Sequence, residues 1–367
     1  MDMQKAKTKA LYNSLKSQII SKILLPGTKL PSETELIEQY GVSRYGARKA
    51  LDALSNEQFI QKHQGKGCFV CQPPSSNLNA SINSHQILLI ASRAEHFYFL
   101  KSISGIEKAL QNSGYTLTIK LANYDSAEEA LLLKNAFKEN YAGLLLFPSK
   151  SAYLYTNLHL YRYIETHHIP CITLGNALSF SSLPHVVSDD YAGGCIAANY
   201  LIEKGHRHFL CLMNEEEYSG CMRYAGFVGG LFENQYDEQN CSVIWFPHSE
   251  NSIFHDTKLK ANLLSAISNN VTAIFCFNDA TAVGLYQLLI RHNFRVPDDI
   301  SIIGYDDSYL CETNPVPLTA LHQNPELAGL TAAKNLIDLI ENGSCGQSVS
   351  LPPSLTERAS VRDRNKR

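Results

Sequence analysis

The chain has 367 residues, 44% hydrophobic and 18% charged, an ordinary globular composition that excludes a disordered or fibrous chain and exceeds what one hydrophobic core usually serves. Its first residues, MDMQKAKTKALYNS, lack the apolar stretch of a secretory signal and no run of about 18 apolar residues occurs, so no membrane span and a cytoplasmic location are expected. The net charge of −3 is unevenly divided: residues 1–74 carry 11 Lys and Arg against 6 Asp and Glu, the remainder 21 against 29, so only the first part suits a polyanionic partner.

In chain order, residues 8–24 form an amphipathic helix that Pro26-Gly27 ends. LPSETELIEQYGVSRYGARKALDALSNEQFI then predicts helix, tight turn and helix. Ser32 is placed to cap the first of these, with Glu35 completing a capping box, and Gly41 fits a left-handed end. Ser43 caps the next. At 100° per residue, Ala47, Ala50, Leu51 and Leu54 gather on one side of helix 43–54. Arg44, Tyr45, Arg48 and Lys49 gather on another, the outward cationic face that a recognition helix needs in a major groove. Gly46 within this helix costs about 1 kcal/mol against Ala, which predicts that a side chain there would obstruct docking on DNA. FIQKHQGKGCFVCQ reads as a hairpin whose tip is Gln64-Gly65-Lys66-Gly67, where glycines allow close approach and Lys66 supplies charge. The rival reading of that GKG, a phosphate loop, lacks the following Ser or Thr and the βαβ context.

QPPSSNLNASINSH at 72–85 has the prolines and polar residues of a linker. The expected division is residues 1–72 for the first domain, 73–85 for the linker, 86–361 for a larger domain and 362–367 for a disordered tail. Short apolar runs follow: QILLIA, YTLTIKL, GLLLF, PCITL, HFLCLM, VIWF, TAIFCF and ISIIGY. Most are separated by helix-length segments, at 98–113, 126–138, 192–204, 256–269 and 278–292, and a further helix is read at 325–341. That rhythm predicts an α/β domain of two doubly wound lobes on parallel sheets behind a small α+β head. The ten cysteines are irregularly spaced, so free thiols are expected. Cys68 and Cys71 form a CxxC without a second ligand pair, and His206 and His208 lack a third ligand, so neither metal nor cofactor is expected.

Residues 8–71 resemble the GntR family in Pro31-Ser32-Glu33, Gly41-Val42-Ser43-Arg44 with Arg48, and Gly65-Lys66-Gly67-Cys68-Phe69-Val70. The resemblance implies a winged helix-turn-helix in which Ser32, Glu33, Ser43, Arg44, Tyr45, Arg48, Lys49, Gln64, Gly65 and Lys66 form the DNA-binding face. Where the family often has small polar residues after the first Arg, this chain has Tyr45-Gly46, so base preference does not transfer.

Residues 86–361 resemble the LacI/GalR regulators, which are similar to periplasmic sugar-binding proteins. The matching pieces include FYFLKSISGIEKALQNSGY, DDYAGGCIAANYLIEKGHRHF, RYAGF, FNDATAVGLYQLL, VPDDISIIGYDDS, PLTALHQ and ERAS. The resemblance implies two lobes joined by three crossings, with a polar ligand between them. It places Arg223, Asn278, Asp306 and His322 around that ligand, with Tyr98, Lys150, Asn176 and Asp189 as further effector-binding candidates. The combination of head and body is similar to the arabinose-responsive repressors of Gram-positive bacteria. It implies a homodimer that binds double-stranded operator DNA and releases it on binding a sugar, L-arabinose; the alternative is a regulator of the same architecture that responds to another sugar or a sugar phosphate, or whose ligand promotes DNA binding. An enzyme is disfavoured, because no Gly-x-Ser-x-Gly, HExxH or dinucleotide GxGxxG occurs in context. A transport binding protein conflicts with the basic head.

Overall fold

The computed structural model describes residues 7–366 except 9–10, 13, 17, 20–23, 26, 57–58, 64–66, 72–84, 93–96, 154–155, 179, 248–253, 255, 269 and 345–347. It divides into two compact units, Met1–Asn83 and Ser84–Arg367. The expected linker lies, up to residue 84, outside the described residues.

In the first unit the described residues between 7 and 19 are helical, and α1 (Glu33–Tyr40) and α2 (Arg44–Asn56) follow. The predicted capping box is present: Ser32 N–H donates to Glu35 Oε2 at 2.6 Å and Glu35 N–H to Ser32 Oγ at 3.3 Å. Gly41 ends α1 with φ of 62°, a left-handed conformation that costs glycine little. Strands β1 (Ile60–His63) and β2 (Gly67–Val70) pair antiparallel with Ile60 opposite Val70. Leu11, Leu15 and Ile19 meet Leu36, Leu51 and Leu54 in a single core, so the amphipathic faces read from the sequence all turn inward together.

The second unit carries two six-stranded sheets. The first lobe comprises β3 (Gln86–Ala91), α3 (Phe97–Leu110), β4 (Thr116–Leu121), α4 (Ser126–Ala136), β5 (Gly143–Leu146), α5 (Leu158–Thr166), β6 (Cys171–Leu174) and β7 (His185–Ser188). The second comprises α6 (Asp190–Glu203), β8 (Phe209–Asn214), α7 (Tyr218–Glu233), β9 (Cys241–Phe246), α8 (Thr257–Ser268), β10 (Ala273–Cys276), α9 (Asp279–Arg291), β11 (Ser301–Asp306), α10 (Tyr309–Thr313) and β12 (Thr319–His322). Helix α11 (Pro325–Asn342) and β13 (Val349–Leu351) return to the first lobe, and β14 (Ser354–Thr356) to the second. The chain thus crosses between lobes three times, at 188–190, 322–325 and 351–354.

Strand order is β4-β3-β5-β6-β7-β13 in one lobe and β9-β8-β10-β11-β12-β14 in the other. All pairs in these sheets are parallel except β12 with β14. Such sheets are covered on both faces, which is why β5, β6, β8 and β10 are buried at every residue and read as unbroken apolar runs. The order reverses beside β3 and beside β8, and a doubly wound sheet opens a crevice at the carboxyl ends of its strands at that point. Among the described residues no helix is long and apolar enough to cross a membrane.

Two expectations are corrected. The tail expected to be disordered is pinned over its described residues: Arg364 N–H donates to the Lys204 carbonyl at 2.8 Å and Asn365 Nδ2 to that of Glu203 at 2.7 Å. Its polar composition hid the reason, which is that its partners are backbone carbonyls at the end of α6. Gly46 does not face outward either. It is buried, and a Cβ there would lie 2.5 Å from Thr8 Oγ1, so its lack of a side chain admits the first helix rather than DNA.

Candidate functional site

On the head, Arg44, Tyr45, Arg48 and Lys49 are all exposed along α2, opposite the buried Ala47, Ala50, Leu51 and Leu54. Tyr45 is 75% exposed on the same face. Arg48 Nε donates to both carboxylate oxygens of Glu33, at 3.1 and 3.0 Å. The pair orients a guanidinium across the two helices. Ser43 Oγ accepts from Gly46 N–H at 3.1 Å, so Ser43 and Ser32 are occupied with capping. Gln64, Gly65 and Lys66 lie outside the described residues.

In the second unit a cavity of about 80 Å³ opens between the lobes at the carboxyl ends of the strands. Five of the eight sequence candidates line it: Tyr98, Asn176, Arg223, Asn278 and Asp306. Aromatic rings of Phe99, Phe147 and Phe277 form walls, and Ser92, Glu217, Ser219 and Gln323 add polar atoms that sequence reasoning missed. Their signal was positional: Ser92, Phe147, Phe277 and Gln323 each directly follow a strand, where a doubly wound sheet exposes its ligand-facing residues.

Arg223 is the most constrained of these. It is 5% exposed, donates through Nε to Asp190 Oδ1 at 2.8 Å and through Nη1 to the Phe277 carbonyl, and its guanidinium carbon sits 3.6 Å from the centre of the Tyr305 ring. Burial opposes its charge, but Asp190, Tyr305 and Asp306 outweigh burial and raise its pKa further. Burial pushes the Asp190 carboxyl up to about 6 against the pull of Arg223. It also raises the Tyr98 hydroxyl, with Asp190 and Asp306 adding to the effect, so Tyr98 presents a protonated donor to the cavity. Asp306, in the positive-φ region at 111°, accepts from Gln323 Nε2. Asn278 caps α9, its Oδ1 accepting from Thr281 N–H at 2.9 Å.

Three candidates are not brought to the cavity. Lys150 pairs with Glu216 at 2.9 Å. Asp189 caps α6 by accepting from Ala192 N–H at 3.0 Å. His322 is exposed and contacts Asp307 Oδ2 at 3.2 Å, because successive residues leave a strand in opposite directions and it is the neighbouring Gln323 that turns inward. Asn176, on the first lobe, reaches across to the second: its Oδ1 accepts from Ser219 N–H at 3.1 Å and its Nδ2 donates to Glu217 Oε2 at 3.3 Å. Among the described residues no group of His, Cys, Asp and Glu gathers as a metal site requires.

The arrangement can desolvate a small polar molecule, offer it donors and acceptors from both lobes, and cover apolar C–H faces with rings. Two family profiles match the chain: bacterial regulatory proteins of the gntR family over residues 7–70, and the periplasmic binding protein-like domain over residues 198–361. An arabinose metabolism transcriptional repressor of Halalkalibacterium halodurans is 30% identical over 362 residues, covering 95% of this chain and 96% of that protein. Another, of Geobacillus stearothermophilus, is 28% identical over 365 residues, covering 98% and 100%. The crystal structure of a periplasmic binding protein/LacI transcriptional regulator from Alkaliphilus metalliredigens, complexed with D-xylulofuranose, is similar with a TM-score of 0.63. It is 25% identical and covers 76% of this chain and 99% of that one.

Proposed function

The chain belongs to the family of transcriptional repressors that join a GntR-type head to a periplasmic-binding-protein-like body, and from that premise we propose that it represses sugar-utilisation genes and is released from operator DNA by L-arabinose. The observation that carries the reading is the cavity itself, where Arg223, Asp306, Asn176 and Asn278 surround a space walled by aromatic rings. At roughly 10–15 Å³ for each water it could hold, a cavity of about 80 Å³ is of a size for a small polar ligand such as a monosaccharide.

The proposed protein is a cytoplasmic homodimer that sets two α2 helices at the spacing of two operator half-sites. Arg44, Arg48 and Lys49 meet phosphates and base edges, and the sugar, by binding one disposition of the lobes better than the other, biases the dimer away from that spacing. The sugar shifts occupancy only by its differential affinity for the two states, typically about 1–3 kcal/mol. Recognition rather than catalysis is assigned to the cleft. Calorimetry against L-arabinose, D-xylose, D-ribose and D-xylulose, paired with a gel shift on the upstream DNA of the protein's own gene, tests this. L-arabinose is expected to bind most tightly and to reduce the shifted band; DNA binding indifferent to every sugar would end the proposal.

A further inference from the structure

Glu217, at the N-cap of helix α7, does not cap the backbone of the first turn with its side chain; its carboxylate accepts from Ser219 Oγ at 3.5 Å instead. A helix leaves its first N–H groups without intrahelical partners. Here two are taken up by the opposite lobe. Tyr218 N–H donates to Ser151 Oγ at 2.9 Å, and Ser219 N–H to Asn176 Oδ1 at 3.1 Å. Along the same seam Ala152 N–H donates to the Glu216 carbonyl at 3.1 Å, and Lys150 pairs with Glu216.

The loop that carries Ser151 is held from behind. Glu129, fully buried in α4, accepts from Ser149 N–H at 2.6 Å, from Asn157 Nδ2 at 2.9 Å and from the Tyr161 hydroxyl. Burial raises its pKa while these donors pull it back. A carboxyl sunk in the first lobe thus fixes the backbone next to a hydroxyl aimed at the second.

We propose that Ser151 and Asn176 cap α7 in trans, so that closing the lobes completes this helix and opening them uncaps it. Ser219 lines the cavity from the first turn of α7, and Arg223 lines it one turn later, so capping fixes the helix face that the ligand touches. Ser151 does not line the cavity. It is a positioning residue, acting on the effector through α7. Its link to sugar rests on the effector reading above; the capping itself does not.

The test uses the full chain, with amide hydrogen exchange resolved at Tyr218 and Ser219 and calorimetry against the same sugars. Without sugar, Ser151→Ala is expected to speed exchange at Tyr218 about two- to thirtyfold, the range of a lost helix cap. It should weaken L-arabinose binding by a similar factor and leave the ranking of sugars unchanged. Ser151→Thr, which keeps the acceptor oxygen, should restore both. Asn176→Ala should speed exchange at Ser219 and, because Asn176 lines the cavity, alter the ranking. Unchanged exchange at Tyr218 in Ser151→Ala overturns the proposal, as does a change of sugar ranking by that variant. Should wild-type protein bind no sugar, the effector reading falls, while the exchange rates still decide the capping; should Ser151→Ala fail to fold, unchanged Ser219 exchange in Asn176→Ala overturns it.

Discussion

Arg223 Nε donates to Asp190 Oδ1 at 2.8 Å, joining the helix that follows the 188–190 crossing to a cation at the floor of the cavity. Lysine cannot at once bond Asp190, reach the Phe277 carbonyl and lie flat on Tyr305, so Arg223→Lys is expected to weaken sugar binding at least tenfold while DNA affinity without sugar is kept. The carboxyl of Asp190, raised to about 6 by burial, also makes sugar affinity fall as pH drops through 6, because the protonated acid releases its hold on Arg223. The titration of Asp190 does not cause that fall by unfolding the protein. A raised acid contributes stability that is full below its unfolded value of 3.8 and lost as pH rises through 6, so acidification favours the fold at this group. Calorimetry from pH 7.5 to 5 checks this, and in Asp190→Asn the slope should vanish.

Arg48 is held by Glu33 and faces solvent, the arrangement of a side chain awaiting a phosphate or base. Arg48→Ala is expected to reduce operator affinity about 5- to 150-fold, as loss of a good base contact does, and to leave sugar binding intact. If the contact is to phosphate, the salt dependence of log affinity should flatten by roughly one unit of slope. Titrations at several salt concentrations distinguish the two, and parallel loss of sugar binding would point to misfolding.

Gly46 and Thr8 should be energetically coupled. Alanine at 46 gains about 1 kcal/mol of helix propensity, but its Cβ would meet Thr8 Oγ1 at 2.5 Å, so Gly46→Ala alone is expected to stabilise the head little or to destabilise it. In a Thr8→Ala background the same change should stabilise by about 1 kcal/mol. A double-mutant cycle by thermal melting measures the difference, and simple additivity would refute the contact.

His206 is fully buried, its Nδ1 2.9 Å from Thr272 Oγ1 and its Nε2 3.2 Å from the Arg362 carbonyl. The carbonyl only accepts, so Nε2 carries the proton and Nδ1 accepts from Thr272. Burial, reinforced by Arg364, lowers its pKa from 6.5 to about 4. A depressed base contributes stability that is present above 6.5 and lost as pH falls through the window to 4, on the order of 3 kcal/mol at most. Melting temperature against pH should therefore decline less steeply between 6.5 and 4 in His206→Gln than in wild type; identical slopes would contradict the buried neutral ring.

Local chemistry was legible wherever neighbours in sequence decide it. The capping box of Ser32 and Glu35, the left-handed Gly41 and the two faces of α2 depend on residues within a few positions of one another. So do the eight apolar runs that became strands: six are covered on both faces and so apolar along nearly their whole length, while β4 and β9 lie at sheet edges and are only partly buried. Strands β7, β12, β13 and β14 and helices α5, α7 and α10 escaped notice. The strands are short or at sheet edges, and α7 is studded with glycines because its backbone meets α6: a Cβ on Gly226 would lie 1.9 Å from the Tyr191 carbonyl. That glycine pattern makes sense only once the two helices are side by side.

The sequence by itself determined a basic capped head, an acidic α/β body and the residue types from which a polar cleft is built, because periodicity, caps and charge are carried by short stretches of chain. Only the tertiary structure decided which of those residues share the cleft. Gln323 enters and His322 leaves by the alternation of one strand, Gly46 faces Thr8 rather than solvent, and Ser151 and Asn176 meet a helix that begins some 67 and 42 residues further on. Which way a side chain turns depends on what packs against it, and those partners come from remote segments that no local pattern announces.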